Sequence, residues 1–292
     1  MKEFLKLDNK LNLELKIKPL SPLCIKLSKE EKEGEDSKSS TYSTILVTEQ
    51  GETKANNMGE LELDNRKGEI YIPGSTLKGL FRDRFATMYK DNIFVKNLFG
   101  YTEENSKEEK AKKSRIFFQD AFFFENEKRK NFYDENKIKN PSNNEAIKEF
   151  VNSRSITPID HFSSKAVAPL KFEYTTEDFR TEILLNNMNF KELQGIYFII
   201  RDSINGEIRI GNSKTRGFGQ VEFEVNDLRY SVFYGKESNF EKFESFFEID
   251  EKKSTKIEDN YLEKVWKLKA EYKKIDIKNP NEFIKTLFSE VK

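Results

Sequence analysis

The sequence predicts an α+β protein, and three observations lead there. Residues 10–18 alternate strictly, with Leu11, Leu13, Leu15 and Ile17 set against Asn12, Glu14, Lys16 and Lys18, which is the period of a half-buried strand. Residues 75–88 place Leu77, Phe81, Phe85 and Met88 at i, i+4, i+8 and i+11, a single apolar stripe on a helix. Elsewhere strand-like and helix-like stretches mix without the regular βα alternation of a parallel-sheet protein.

The remaining elements follow in order. Pro19 and Pro22 break or kink the first strand, and Cys24–Leu27 resumes it. Residues 28–68 read as a long loop insertion, because KEEKEGEDSKSST is charged and poor in apolar side chains. A short strand at 44–47 (TILV) and a hairpin before residue 68 fit inside it. EIYIPG is a strand stopped by Pro73-Gly74, and Ser75 suits the N-cap of the helix that follows. Residues 102–114 are another solvated stretch, and RIFFQDAFFF (115–124) is a buried strand. The polar run 125–150 leads into SITPIDHFSSKAVAPLKFEY, an extended arm or hairpin; together they make a second insertion over about 125–180. FRTEILLN is a strand, whereas LQGIYFIIRDS is a helix or a strand, since periodicity does not separate them. GEIRIGNSKTRGFGQVEFEV is a strand, a glycine-rich loop and a strand alternating at Val221, Phe223 and Val225. Segments 239–249, 259–272 and 281–288 look amphipathic and helical. The division is therefore a domain over 1–230 and a helical extension over 231–292.

Composition narrows the function. The 292 residues suffice for one large or two small domains, and 36% hydrophobic content with 26 phenylalanines can fill a core. The 51 basic and 51 acidic side chains cancel, so any nucleic-acid binding must come from local clustering of charge rather than net charge. One cysteine, Cys24, excludes an internal disulfide and a cysteine-based zinc site; one histidine, His161, leaves no His-pair metal motif. No metal site is expected for binding alone. There is no apolar run of membrane-spanning length, and MKEFLKLDNK lacks the apolar core of a signal peptide, so the expectation is a cytoplasmic protein.

Two segments carry chemistry. GNSKTRGFG combines three glycines with Lys214 and Arg216, a loop that can approach a ligand closely and offer backbone N–H groups and cations to phosphates. Phe218 either stacks on a base or fills the core. IPGSTLKG sets a tight turn before a helix N-terminus, where Ser75 and Thr76 offer hydroxyls and Lys78 and Arg82 add charge. Each alone also fits a bland hairpin or a capped helix.

Taken in order along the chain, the segments resemble the RAMP superfamily, the repeat-associated proteins of CRISPR effector complexes. IYIPGSTLKGLFRDRF is similar to the family's IPGSSLKG segment, and GNSKTRGFGQVEF to its terminal glycine-rich loop and strand. IKPLSPLCI resembles its first strand, although the family's His-Ile-Gly ending is absent. RIFFQDAF and SITPIDHFSSKAVAPLKFEY are similar to two further family stretches. The arrangement is most like the backbone subunits of type III effectors.

The resemblance implies a ferredoxin-like (RRM-like) core with insertions, a thumb-like arm over Ser155–Tyr174, and copies of the subunit stacked along a CRISPR guide RNA with other effector subunits. It implies guide phosphates held at Ser75, Lys78, Arg82 and the glycine loop, with sequence read by base pairing to a complementary target RNA. Ile159, Phe162 and Val167 supply apolar tips for a thumb, and His161 and Lys165 lie beside them; the other reading of these residues is a packed hairpin. Type III backbone subunits can also cut target RNA with a loop aspartate. Here the matching place reads TYSTILVT, with Ser43 or Thr44 at the aspartate's position. Asp36 is the candidate substitute, with Glu35 beside it, and cutting would call on a divalent metal such as Mg. The other reading of GEDSKS is a solvated loop. His161 is a general acid or base, or else a structural or RNA-stacking residue. Three functions thus stand open: guide binding alone, guide binding with RNA cleavage, and a protein-interaction scaffold.

Overall fold

The computed structural model describes residues 7–25, 42–43, 53–55, 61–63, 70–103, 110–123, 150–157, 159, 162, 164, 170–233, 247–257 and 261–269. In chain order the strands are β1 (Asn9–Pro19), β2 (Tyr42–Ser43), β3 (Thr53–Ala55), β4 (Leu61–Leu63), β5 (Tyr71–Ile72), β6 (Tyr101–Glu103), β7 (Lys110–Lys112) and β8 (Ile116–Phe118). They continue as β9 (Ala121–Phe123), β10 (Asn152–Ile156), β11 (Leu170–Tyr174), β12 (Phe179–Asn186), β13 (Val221–Val232), β14 (Phe247–Ile249), β15 (Thr255–Ile257) and β16 (Tyr261–Leu268). The helices are α1 (Gly74–Tyr89), α2 (Asn92–Phe99) and α3 (Phe190–Ile204). The α+β class is as the sequence predicts.

The alternation of β1 decides the architecture. Leu11, Leu13, Leu15 and Ile17 are all buried, and the intervening side chains are partly exposed. β12 and β13 flank β1, both antiparallel, so Leu13 lies between Ile183 and Leu228. The main sheet runs β14-β16-β13-β1-β12-β9-β5, with β8 also on β12 and β15 on β16. Along the path β1, α1, β9, β12, α3, β13, the four strands lie side by side as last, first, third, second. α1 and α3 pack against the buried face through Leu77, Phe81, Phe85, Ile196 and Ile200. Each such buried side chain stabilises by about 1.5–3 kcal/mol.

The ambiguous stretch before residue 205 is α3. Its start is fixed by a capping box: the Asn189 side chain accepts from the Glu192 N–H at 2.9 Å, and the Glu192 carboxylate accepts from the Asn189 N–H at 3.1 Å. Glu192 is fully buried and ion-paired with Arg115 of the segment before β8. Burial pushes its carboxyl above the usual range, while the Arg115 guanidinium and the Asn189 N–H pull it back. The pair ties β8 to the helix layer.

Three expectations need correction. RIFFQDAFFF is two short strands, not one. Phe118 faces Ile183 but Phe122 faces Arg180, so one extra residue stands in the 119–121 stretch opposite β12. Thr181 Oγ1 donates to the Gln119 carbonyl at 2.8 Å, which holds this bulge. Second, Ser75 is not the N-cap. The helix begins at Gly74 with Pro73 in the cap position and no side-chain cap of its own. Third, the tail is not helical where it is described: β14, β15 and β16 extend the main sheet past β13. Leu262, Val265 and Trp266 fit helical spacing, but Trp266 and Leu268 fit period two equally well. The free edge of β13 selects the strand, and Tyr230 of β13 stands opposite Trp266 with ring centroids 6.3 Å apart. Segment 281–288, like the 44–47 strand, lies outside the described residues.

Candidate nucleic-acid interface

β1 ends at Pro19 beside Val221, and Ile17 lies between Phe179 and Phe223. From this end of the sheet the chain continues into residues 20–25, and here the loop 211–219 and the β10–β11 pair converge. Asn212 donates its N–H to the Cys24 carbonyl at 2.7 Å, and Gly219 donates to Pro22 at 2.9 Å. Leu23 and Thr175 exchange N–H···O bonds, each at 3.0 Å, which fixes the end of β11 to the same segment. Between the three pieces sits a small second core of Cys24, Phe172 and Phe218, with Ile156 and Tyr174 packed against it.

The loop turns sharply. Gly211, Ser213, Gly217 and Gly219 have φ of 83, 56, 83 and 78°, with a single 3-10 turn over Lys214–Arg216. Only glycine fits at 219: a Cβ there would overlap the Ile210 carbonyl oxygen. The outcome is a loop whose tip, Lys214 to Gly217, is exposed, while Phe218 is fully buried. Phe218 is therefore not a base-stacking platform. Its ring lies 5.6 Å from Phe172 and edge-on to Tyr174 at 6.2 Å, so it anchors the loop.

The start of α1 is built differently. The bulge after β8 turns Asp120 toward the helix, and its Oδ1 accepts the Gly74 N–H at 2.6 Å. A carboxylate on the first turn satisfies an otherwise orphan donor and neutralises the positive end of the helix dipole. Gly74 is needed for this approach, since a Cβ would come within 2.5 Å of the Phe118 carbonyl oxygen. The Thr76 N–H is likewise used, donating to the Pro73 carbonyl at 2.9 Å. The expected phosphate cradle of backbone N–H groups is thus partly occupied from within. What α1 offers outward is side chains: Ser75 and Arg82 are exposed, and Lys78, one turn before Arg82, is half-buried. Arg84 of the same helix donates to the Glu207 carbonyl at 2.8 Å, tying α1 to the strand-like segment that enters the glycine loop.

Part of the positive charge is ion-paired within the fold. Lys16, Lys18, Arg115, Arg180, Arg201 and Arg229 each face a carboxylate. The bond to Glu224 raises the Lys18 pKa, burial working against it. Among the described residues, Lys78, Arg82, Lys214 and Arg216 have no acidic partner. Lys214 and Arg216 thus present charge at the exposed loop tip, and Lys78 and Arg82 present charge on α1, where the exposed Asp83 follows Arg82 in sequence.

Of the other expected residues, Ile159 is 73% and Phe162 96% exposed. Asp36, Glu35, His161, Lys165 and Val167 lie outside the described residues. Of the two residues expected where the family's aspartate would fall, Ser43 pairs in β2 with Phe172 of β11, and Thr44 lies outside the described residues. Among the described residues no group of three His, Cys, Asp or Glu is arranged to hold a metal ion, and no helix is long and apolar enough to cross a membrane. Two residues escaped the sequence reading. Arg154 of β10 lies over the Phe218 ring at 5.6 Å, and Arg209 donates to the Phe218 carbonyl at 3.5 Å. Nothing local in the sequence marks Arg154; only the pairing of β10 with β11 brings it to the loop.

A family model for the RAMP superfamily matches residues 16–222. The chain is 29% identical over 179 residues to a Streptococcus thermophilus protein named CRISPR system Cms endoribonuclease Csm3, covering 56% of this chain and 72% of that protein. Among solved structures, a chain of the type III-B Cmr-beta bound to cognate target RNA, determined by cryo-EM, aligns with a TM-score of 0.42 and 14% identity, over 73% of this chain and 96% of that one.

Proposed function

The chain belongs to the RAMP superfamily of CRISPR proteins, and from that premise we propose that it is a guide-RNA-binding backbone subunit of a type III effector ribonucleoprotein. Its βαββαβ core is read as a ferredoxin-like, RRM-like fold, and the β10–β11 pair as the base of a thumb-like arm. The observation that carries the reading is the exposed Lys214 and Arg216, with no carboxylate partner among the described residues, on a loop anchored from beneath by Phe218. Such a site contacts backbone phosphates without reading bases, as a guide carrier requires. In this reading Lys78, Arg82 and the hydroxyls of Ser75 and Thr76 are a second set of phosphate contacts on α1. The partners in this reading are guide RNA, the target RNA paired to it, other effector subunits and further copies of the chain.

The test is binding of a fluorescein-labelled single-stranded RNA of mixed sequence to the full chain across a salt series. The Lys214→Ala/Arg216→Ala variant should bind more weakly, with the slope of log K against log salt shallower by about 0.7 for each lost phosphate contact. Salt-insensitive binding that the substitution leaves unchanged would sink the reading and favour a protein-interaction scaffold.

A second reading adds cleavage of the bound target RNA, favoured by the name of the Streptococcus thermophilus relative. Asp36 is its candidate, with Mg as the metal. Regularly spaced cuts in target RNA by the assembled complex with guide, abolished in Asp36→Ala, would support it. Absence of cuts with any divalent metal would leave binding alone.

A further inference from the structure

We propose that Arg154 is a further phosphate ligand of the glycine-loop site, contributed by the β10–β11 pair and held in place by the Phe218 ring. The proposal rests on the RNA-binding reading above. β10 and β11 pair antiparallel with Arg154 directly opposite Phe172 and Ile156 opposite Leu170. Directly opposed residues project from the same face of a strand pair. Phe172, Ile156 and Tyr174 pack against the Cys24–Phe218 cluster, so the row containing Asn152, Arg154 and Ile156 is the one turned to the loop. An apolar side chain at 154 would complete that cluster. Instead an exposed guanidinium covers the Phe218 ring at 5.6 Å.

Among the described residues Arg154 has no carboxylate partner. Its cation–π contact restrains the guanidinium plane yet leaves its N–H donors unused, and a planar fork suits a phosphate. Phe218 sits two residues after Arg216, so ring and cation belong to one loop. Arg154, Lys214 and Arg216 then surround one anion-binding surface, two cations from the loop and one from the neighbouring strand pair. Phe218 acts here as a positioning residue: it touches no RNA but fixes both the loop and Arg154.

The experiment measures binding of the same labelled RNA across a salt series for wild type, Arg154→Ala, Arg154→Lys, Phe218→Leu and the Arg154→Ala/Phe218→Leu double variant, each checked by thermal melting. Arg154→Ala should weaken binding roughly three- to tenfold and make the salt slope shallower by about 0.7, with its melting temperature near wild type. Arg154→Lys should restore the slope but only part of the affinity, because the charge returns without the stacked fork. If Phe218→Leu folds, the double variant should bind no worse than the weaker single variant, as expected for residues acting as one unit. Arg154→Ala with wild-type affinity and slope, beside a weakened Lys214→Ala/Arg216→Ala, would overturn the assignment and leave the loop reading standing. Wild-type binding without salt dependence would overturn both.

Discussion

The first turn of α1 and the loop over residues 211–219 offer similar ingredients, glycine, hydroxyls and cations, yet they are finished in opposite ways. At α1 the backbone donor is consumed internally by Asp120, and the outward offer is the side chains of Lys78 and Arg82. At the loop the apolar residue is turned inward, the cations outward, and the backbone is bent through four positive-φ positions. One is a helix start sealed by a neighbouring strand; the other is a surface feature supported from beneath. Both segments spend backbone N–H groups within the fold, Gly74 on Asp120 at the helix and Asn212 and Gly219 on Cys24 and Pro22 at the loop, so what each still offers outward is its side-chain cations.

Damage to the backbone should separate the two most sharply. Gly219→Ala forces a Cβ into the Ile210 carbonyl oxygen at a φ of 78°. With no flexible side chain to give way, we expect a loss of roughly 3 kcal/mol or more in urea unfolding, together with loss of RNA binding. A variant with wild-type stability and affinity would mean that the loop backbone is not what shapes the site. Asp120→Ala should act at the other region alone. It leaves the Gly74 donor without its partner and should cost about 1–2 kcal/mol, by the magnitude of lost helix caps and dipole contacts. RNA affinity should stay level or rise slightly as a carboxylate leaves the start of α1. A marked fall in affinity at unchanged stability would show that the seal itself serves binding.

The far end of α1 gives a milder, pH-dependent probe. Burial, and secondarily the Glu192 charge, push the Tyr89 phenol up to about 12 from an ordinary value near 10. Its folded-state pKa is raised, so its stabilisation is complete below about pH 10 and is lost as pH rises through about 12. Phenolate absorbance should therefore lag behind that of an exposed tyrosine, and Tyr89→Phe should remove one part of the late component, the rest coming from Tyr230 and Tyr197, which burial also pushes up. A late component of unaltered size in the variant would show that the Tyr89 phenol, whose hydroxyl donates to the Lys191 carbonyl at 2.8 Å, is not buried at that end of α1.

The same contrast explains which features show in the sequence alone. β1 was legible because one face is buried and the other is not, so Leu11 to Ile17 carry the full period-two signal. The Leu77–Phe81–Phe85 stripe was legible for the matching helical reason. The glycine loop and the α1 start were found as segments because their chemistry is local in sequence. Their finish was not, because Asp120 reaches Gly74 from 46 residues away, by way of a bulge that only strand pairing reveals. The sequence leaves Phe218 open between stacking and core, because its burial depends on Phe172 and Cys24, which are distant in the chain. The tail was misread because period 3.6 and period two coincide over short apolar runs such as Val265 to Leu268, and the edge of β13 decided between them. Arg154 was missed for a related reason: a lone arginine in a polar stretch has no pattern until its opposite strand is known.

The smallest expected effect has the opposite sign and completes the contrast between the two glycine-bearing segments. Gly79 lies on the exposed face of α1, has ordinary negative φ, and a Cβ there would meet nothing within 4 Å. Its flexibility therefore serves no turn and no close approach, unlike that of Gly219 in the loop. Gly79→Ala should stabilise the protein by about 0.5–1 kcal/mol, by limiting the unfolded chain and favouring the helix. RNA affinity should be unchanged if the neighbouring Lys78 works only through its side chain. A stabilised variant with weakened binding would instead mean that RNA lies against the bare backbone at residue 79, and α1 would then share with the loop the close approach that sets the two regions apart here.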